Sequence, residues 1–250
     1  MKILINGACG RMGSELCRLL ACGYRGHTAA AAIDCAAAKG TPIFHALEAC
    51  PDGADILIDF SHHSAAADLC SYARQKNLPL VIATTGHTDT EQLLIRQTAE
   101  VLPVFYAANL SLGAVLLNKL IRTAAEVLPE ADVEIVELHH NKKLDAPSGT
   151  ALALAAALQT LRPESRIAPG AFGHGVRSPE EINIHSLRIG SHAGSHTVCF
   201  GSDEETLTLS HTAHTLRAYA VGAVRAAEFL ITQKLGLYGM PQLLEHLHLL

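Results

Sequence analysis

Between residues 137 and 151 the chain reads Glu-Leu-His-His-Asn-Lys-Lys-Leu-Asp-Ala-Pro-Ser-Gly-Thr-Ala. His139 and His140 can move protons near neutral pH, and Lys142 and Lys143 supply positive charge. Ser148, after Pro147, is a good helix N-cap, and an Ala/Leu-rich helical segment follows it. Backbone N–H groups at Ser148, Gly149 and Thr150 are expected to point outward there. The helix dipole adds positive potential, so the spot suits a carboxylate or a phosphate. Gly149 lets an anion approach the main chain closely. An alternating apolar run over 133–138 precedes the cluster. The cluster therefore sits where a strand stops and before a helix starts, held by rigid elements yet open to a ligand. A capped helix after a solvated polar loop is the plain alternative, and it leaves so many titratable groups without a use.

A second constellation opens the chain. Gly7-Ala8-Cys9-Gly10-Arg11-Met12-Gly13 follows an apolar run at 2–6 and begins a segment of helical spacing. The spacing is G-x-x-G-x-x-G rather than G-x-G-x-x-G, but strand, glycine turn and helix are what a dinucleotide pyrophosphate needs. Asp34 ends the next strand, about twenty residues on, where a carboxylate would accept the adenosine ribose hydroxyls. A glycine-rich turn and a helix-capping aspartate are the bland alternative. The strand position and the spaced Asp34 together favour a nicotinamide cofactor. Two later strand ends, Ala83-Thr84-Thr85-Gly86 and Ala107-Ala108-Asn109-Leu110, are expected along the same crevice, lining the nicotinamide half.

The elements that must position these groups follow from the hydrophobic pattern. Strands are predicted at 2–6, 28–33, 56–60, 80–83 and 104–107, with helices at 12–22, 64–76 and 91–102 between them. This alternation implies a parallel sheet with right-handed crossovers. The second part differs. A helix at 113–127, a strand at 133–138 and a helix at 148–161 lead into a Pro/Gly-rich stretch from 163 to 179. Strands at 181–189, 196–200 and 205–211 with short turns suggest an antiparallel or mixed sheet. A helix at 216–232 and a short apolar tail close the chain. The fold class is α/β: a Rossmann-like parallel-sheet N-terminal domain plus a C-terminal α+β domain with a mixed sheet. The first domain is predicted at 1–110 with 219–250 returning to it, and the second at 111–218, with hinges near 109–113 and 216–220.

Composition sets outer bounds. Of 250 residues, 49% are hydrophobic and 17% charged, which is ordinary for a globular protein with a real core. A net charge of −5 gives no electrostatic case for nucleic acid. The apolar run at the N-terminus is too short for a signal peptide, and no stretch is long and clean enough to span a bilayer. The seven cysteines are odd in number and lack Cys-x-x-Cys spacing. They suggest reduced core thiols and a cytoplasmic setting. The fifteen histidines show no His-Glu-x-x-His pattern, and no metal site is predicted.

With both ends in hand, the chain resembles the dihydrodipicolinate reductases, also called 4-hydroxy-tetrahydrodipicolinate reductases. The resemblance rests on Gly7–Gly13 with Arg11-Met12, on 83–86, 107–110 and 137–151, and on Glu181-Ile182 with Leu187-Arg188. It extends through Gly194-Ser195-His196-Thr197-Val198 and Arg217 with Gly222-Ala223. It implies NAD(P)H-dependent reduction of a small cyclic unsaturated dicarboxylate on the bacterial path to diaminopimelate and lysine, by a homotetramer built through the second sheet. It implies that His139 and Lys143 are the acid/base pair, and that His140, Ser148, Gly149 and Thr150 bind the substrate carboxylates. Cofactor contacts would come from Gly7, Ala8, Cys9, Gly10, Arg11, Met12, Asp34, Ala83, Thr84, Thr85, Ala107, Ala108, Asn109 and Leu110. Cys9, Ala83, Leu110 and Ser195 depart from the usual glycine, glycine, phenylalanine and glutamate. Cys35 stands where some relatives carry arginine, so NADH is expected to serve at least as well as NADPH; Lys39 and Arg11 are the cations nearby in sequence. The runner-up is another two-domain nicotinamide-dependent dehydrogenase, acting on a semialdehyde or an amino acid. A dinucleotide-binding regulator without catalysis would need neither His139 nor Lys143, and metal binding by the histidines is a more distant reading.

Overall fold

The computed structural model describes residues 1–37, 42–170 and 174–247. Lys39 and His248 lie outside them. In chain order the first elements are β1 (Lys2–Asn6), α1 (Arg11–Ala21), β2 (Thr28–Ile33), β3 (Ile56–Asp59), α2 (Ala66–Lys76), β4 (Leu80–Ile82), α3 (Asp89–Ala99) and β5 (Pro103–Tyr106). Then come α4 (Leu112–Val127), β6 (Asp132–His139), α5 (Gly149–Gln159), β7 (Arg166–Pro169), β8 (Glu181–Arg188), β9 (Gly194–Gly201) and β10 (Thr206–Ala213). The chain ends with α6 (Arg217–Leu230), β11 (Gly236–Tyr238) and α7 (Met240–His246). Two compact units result: residues 1–112 with 216–250, and residues 113–215.

The first unit is built on a six-stranded sheet in the order β11-β5-β4-β3-β1-β2, and every pairing in it is parallel. Ile3, Leu4 and Ile5 of β1 and Ile56, Leu57 and Ile58 of β3 are buried whichever face they point to. Near-continuous apolar runs are what a strand needs when both sheet faces are covered. Strand order reverses between β2 and β3, on either side of β1, so the crevice beyond the ends of β1 and β3 is a topological switch point, where open α/β sheets take their ligands. α6 belongs to this unit, and Phe229 packs edge-on to Phe105 with ring centroids 6.2 Å apart. The expected apolar tail is more ordered than its sequence suggests: β11 adds the last parallel strand and α7 follows it.

The second unit carries a mixed sheet in the order β10-β9-β6-β8-β7. β6 runs parallel to β8 and antiparallel to β9. Val133 and Ile135 of β6 pack with Leu117 and Ile121 of α4 and with Leu154 and Leu158 of α5 in one core. The intervening residues Glu134, Val136 and Leu138 point to the other face and are half-buried. β7 went unforeseen, because four residues ending in proline at a sheet edge carry no two-residue alternation. The thiols correct another expectation. All seven cysteines are free, but only Cys50 and Cys70 are buried, while Cys9, Cys22 and Cys35 are exposed.

Candidate active site

In the second unit, Glu137 and His139 sit two residues apart on β6 and therefore point the same way. That direction is inward: Glu137 is fully buried and His139 nearly so. The Glu137 carboxylate is the hub. Its Oε2 meets His139 Nδ1, and its Oε1 accepts from Arg188 Nη2 at 2.7 Å and from the Ser148 N–H at 3.3 Å. Burial pushes the Glu137 carboxyl up, but hydrogen bonds from Arg188, Ser186 and His139 outweigh it and bring the pKa down to about 2. An ionised carboxylate only accepts, so His139 carries its proton on Nδ1 and turns Nε2 outward from this pair. Gly194 makes room for that nitrogen: a Cβ there would lie 2.9 Å from His139 Nε2. Burial lowers the His139 pKa and Glu137 opposes the fall.

His196 of β9 completes the cluster. Its Nε2 lies 3.0 Å from Ser148 Oγ, and its ring stands edge-on to His139 at 5.2 Å. Burial and the neighbouring His139 bring its pKa down to about 4, so it is neutral at physiological pH. Glu137, His139 and His196 hold ligand-type atoms within 4.8 Å of one another, the one such group among the described residues. Both Glu137 oxygens are already shared, and the guanidinium on one of them opposes a cation. The cluster is accounted for by its own hydrogen bonds.

The loop after β6 carries the remaining charges. The Asn141 N–H bonds to Gly190 O, and Arg188 Nη2 also donates to Asp145 O at 2.6 Å. These bonds tie both ends of the loop to the β8 end of the sheet. Lys143 Nζ pairs with both oxygens of Asp145 at 2.7 and 2.9 Å, and this bond holds the Asp145 carboxyl low. An ion pair this exposed contributes about 0–1 kcal/mol, so Lys143 can be surrendered to a ligand carboxylate at little cost. At the helix start the expectation needs one correction. Ser148 caps α5 by accepting from the Ala151 N–H, but its own N–H is turned inward to Glu137 and its side chain is buried. Ser148 thus builds the site from beneath, and the open main chain is at Gly149, where a Cβ would meet nothing within 4 Å.

In the first unit, Gly7 follows β1 with φ +82°. A Cβ there would come within 2.6 Å of the Phe60 carbonyl group and 2.7 Å of Ser61 N. A Cβ at Gly13 would be 2.0 Å from Gly7 O. The turn is therefore closed by backbone on backbone. α1 begins at Arg11 from an N-cap glycine with no side-chain cap and no acidic residue in its first turn. Its first N–H groups are left for an anion, which fits a dinucleotide pyrophosphate. Asp34 is drawn to the same turn: Oδ2 accepts from Cys9 N–H and Oδ1 from Ala36 N–H, each at 2.8 Å. Thr84 donates its hydroxyl to Asp59 Oδ2 at 2.6 Å, and Asn6 donates to Asp59 Oδ1 at 2.8 Å. Asp59, buried and absent from the sequence reading, thus ties together the ends of β1, β3 and β4. Thr85 and Ala108 are exposed. Ala8 and Leu110 have buried side chains, so what they offer a ligand is main chain.

Family models agree with this two-part architecture. Dihydrodipicolinate reductase, N-terminus, matches residues 1–110, and Dihydrodipicolinate reductase, C-terminus, matches residues 113–244. The chain belongs to the dihydrodipicolinate reductase family. It is 38% identical over 249 residues to the 4-hydroxy-tetrahydrodipicolinate reductase of Caldanaerobacter subterraneus subsp. tengcongensis, covering 98% of each chain. It is 40% identical to that of Wolinella succinogenes, covering 96% of this chain and 97% of the relative. Among solved structures, a dipicolinate-bound dihydrodipicolinate reductase from Paenisporosarcina sp. TG-14 superposes with a TM-score of 0.79 at 27% identity, over 97% of this chain and 98% of that one.

Within this family member, Glu137, Arg188 and His196 are functional candidates that the local sequence pattern does not single out. Glu137 was legible in principle, since two residues before His139 on a strand means the same face. Arg188 and His196 were not, because they reach the cluster only through strand pairing: His139 lies opposite Arg188, and Glu137 opposite His196.

Proposed function

We propose that this chain reduces 4-hydroxy-tetrahydrodipicolinate to tetrahydrodipicolinate with NAD(P)H, in bacterial diaminopimelate and lysine biosynthesis. The observation that carries this reading is the second unit's cluster, in which a proton-handling histidine and a lysine border a helix start open to anions. When bound, the dihydronicotinamide supplies a hydride. The Gly7–Met12 turn, Asp34, the 83–85 segment and the 107–110 segment hold the cofactor. His140, Gly149 and Thr150 receive the substrate carboxylates, with Ser148 setting the helix start. Loss of the 4-hydroxyl as water gives a conjugated imine; hydride addition to it leaves negative charge on the ring, and Lys143 delivers the compensating proton with His139 sharing or relaying it. The apolar Val136, Leu138 and Leu187 on the open sheet face support a homotetramer built through that sheet. The free, exposed thiols suit the cytoplasm. The test is loss of nicotinamide absorbance with freshly generated hydroxytetrahydrodipicolinate. Turnover of a semialdehyde or an amino acid instead would favour the runner-up dehydrogenase.

Coenzyme choice follows from Asp34. Its carboxylate is fixed beside the turn by two backbone N–H groups, and Cys35 adds no positive charge. A 2′-phosphate would meet a negative charge there. NADH is expected to give kcat/KM at least equal to that of NADPH, and values strongly favouring NADPH would refute this assignment.

The anion site has its own test. Pyridine-2,6-dicarboxylate, a planar mimic, is expected to compete with substrate. Hydride transfer requires cofactor and substrate to meet, so NADH should tighten its binding. Thr150→Val removes a hydroxyl at the helix start and should weaken the inhibitor by roughly 0.5–1.5 kcal/mol while leaving NADH binding unchanged. Calorimetry reads both points. Equal affinity in the variant, or no effect of NADH, would show that the anion site is misplaced.

A further inference from the structure

Three side chains with no assigned part in the chemistry converge on His139 and on the start of α5. Glu137 on the same strand touches His139 Nδ1, Arg188 of β8 holds the far oxygen of Glu137, and that oxygen also accepts from the Ser148 N–H. His196 of β9 closes the ring by bonding Ser148 Oγ. One fully buried carboxylate therefore touches both the proton-handling histidine and the residue that caps the anion-binding helix. A solvent-facing histidine would sample both tautomers and several rotamers. Here the ring is fixed from one side by a charge, and Gly194 clears the space on the other.

We propose that Glu137 is a positioning residue that fixes the tautomer and orientation of His139, and that Arg188 is the counter-charge that keeps Glu137 from trapping the proton on His139. The inference rests on the acid/base role given to His139 above. A lone buried carboxylate in hydrogen-bond contact with an imidazole would stabilise the imidazolium strongly, and a histidine locked in the charged form moves no proton. Arg188 shares the same carboxylate and weakens that pull. The guanidinium also donates to Asp145 O, so it is anchored to the loop that carries Lys143. Among the described residues, the charged or titratable groups that act on His139 are Glu137 on its own strand, Arg188 on β8, His196 on β9, and Lys143 from the loop, itself paired with Asp145. His196 is neutral, and Lys143 and Arg188 both disfavour the imidazolium while Glu137 alone favours it.

The two neighbours therefore act on His139 in opposite senses, which a purely structural role would not produce. The experiment is a titration of the His139 ring by NMR in histidine-labelled full-length protein without substrate, the signal being assigned from its loss in His139→Ala. Glu137→Gln keeps the shape and removes the charge, so the His139 pKa should fall. Arg188→Met removes the counter-charge, so it should rise, and Arg188→Lys should restore it toward the starting value. In steady-state assays Glu137→Gln should lower kcat by about tenfold or more, a share of the 10²–10⁴ that acid–base groups contribute, with KM for NADH unchanged. If Glu137→Gln does not fold, the Arg188 pair alone decides the matter. Shifts of the same sign in both variants, or no shift with Arg188→Met, would overturn the proposal. Because the titration needs no turnover, opposite shifts without reductase activity would uphold the positioning network and refute the assigned reaction instead.

Discussion

Lys143→Ala and His139→Ala should each lower kcat by about 10²–10⁴-fold with affinity for NADH nearly unchanged. The reaction adds a hydride to one atom of a conjugated system and must place a proton on another. A positioned acid supplies that proton faster than bulk water does. Lys143 is half-buried and carries its charge on an exposed aspartate that can be displaced. His139 holds Nδ1 against the Glu137 carboxylate. Both belong to the second unit, whereas the glycine turn and Asp34 belong to the first, which is why cofactor affinity should survive. Stopped-flow and steady-state assays against fluorescence titration of NADH separate the two quantities. Near-normal kcat in both variants would remove these residues from the mechanism.

Gly7→Ala should be nearly as damaging, by a different route. The added methyl would lie 2.6 Å from the Phe60 carbonyl group, where no flexible side chain can yield, and φ is +82°. Left-handed backbone costs a non-glycine residue about 1–2 kcal/mol, and overpacking typically adds another ~1–3 kcal/mol. The strain falls on the crevice between β1 and β3, so the variant should lose stability and weaken NADH binding by tenfold or more, each ~1.4 kcal/mol being a factor of ten. Gly149→Ala is the control, since its methyl meets nothing within 4 Å and the melting temperature should hold within a degree or two. Equal melting temperatures and NADH affinities for Gly7→Ala and the parent would show that the turn yields more readily than its geometry implies.

The apolar runs at 2–6 and 56–60 and the glycines after the first of them determined the central strands of the parallel sheet and the tight turn by themselves. Those signals are local: a strand buried on both faces needs consecutive apolar residues, and a turn pressed against a neighbouring backbone needs glycine. The His-His-x-x-Lys loop and the Ser-Gly-Thr helix start were likewise legible, because proton carriers and a capped N-terminus lie within a dozen residues. β7 and β11 escaped notice because edge strands of three or four residues are too short to show a period. Tertiary structure alone decided what surrounds His139. Arg188 and His196 lie 51 and 59 residues beyond Glu137 in the chain, and the pairing of β6 with β8 and β9 brings Arg188 to the Glu137 carboxylate and His196 to Ser148 beside it. The Ser148 N–H likewise turns inward to Glu137, eleven residues back in the chain. In the first unit it was Asp59, buried between three strand ends, that claimed the Thr84 hydroxyl. Side-chain types and near spacing name the groups that can react, whereas a buried charge must find its partners wherever the sheet delivers them, and no local pattern records which partners those are.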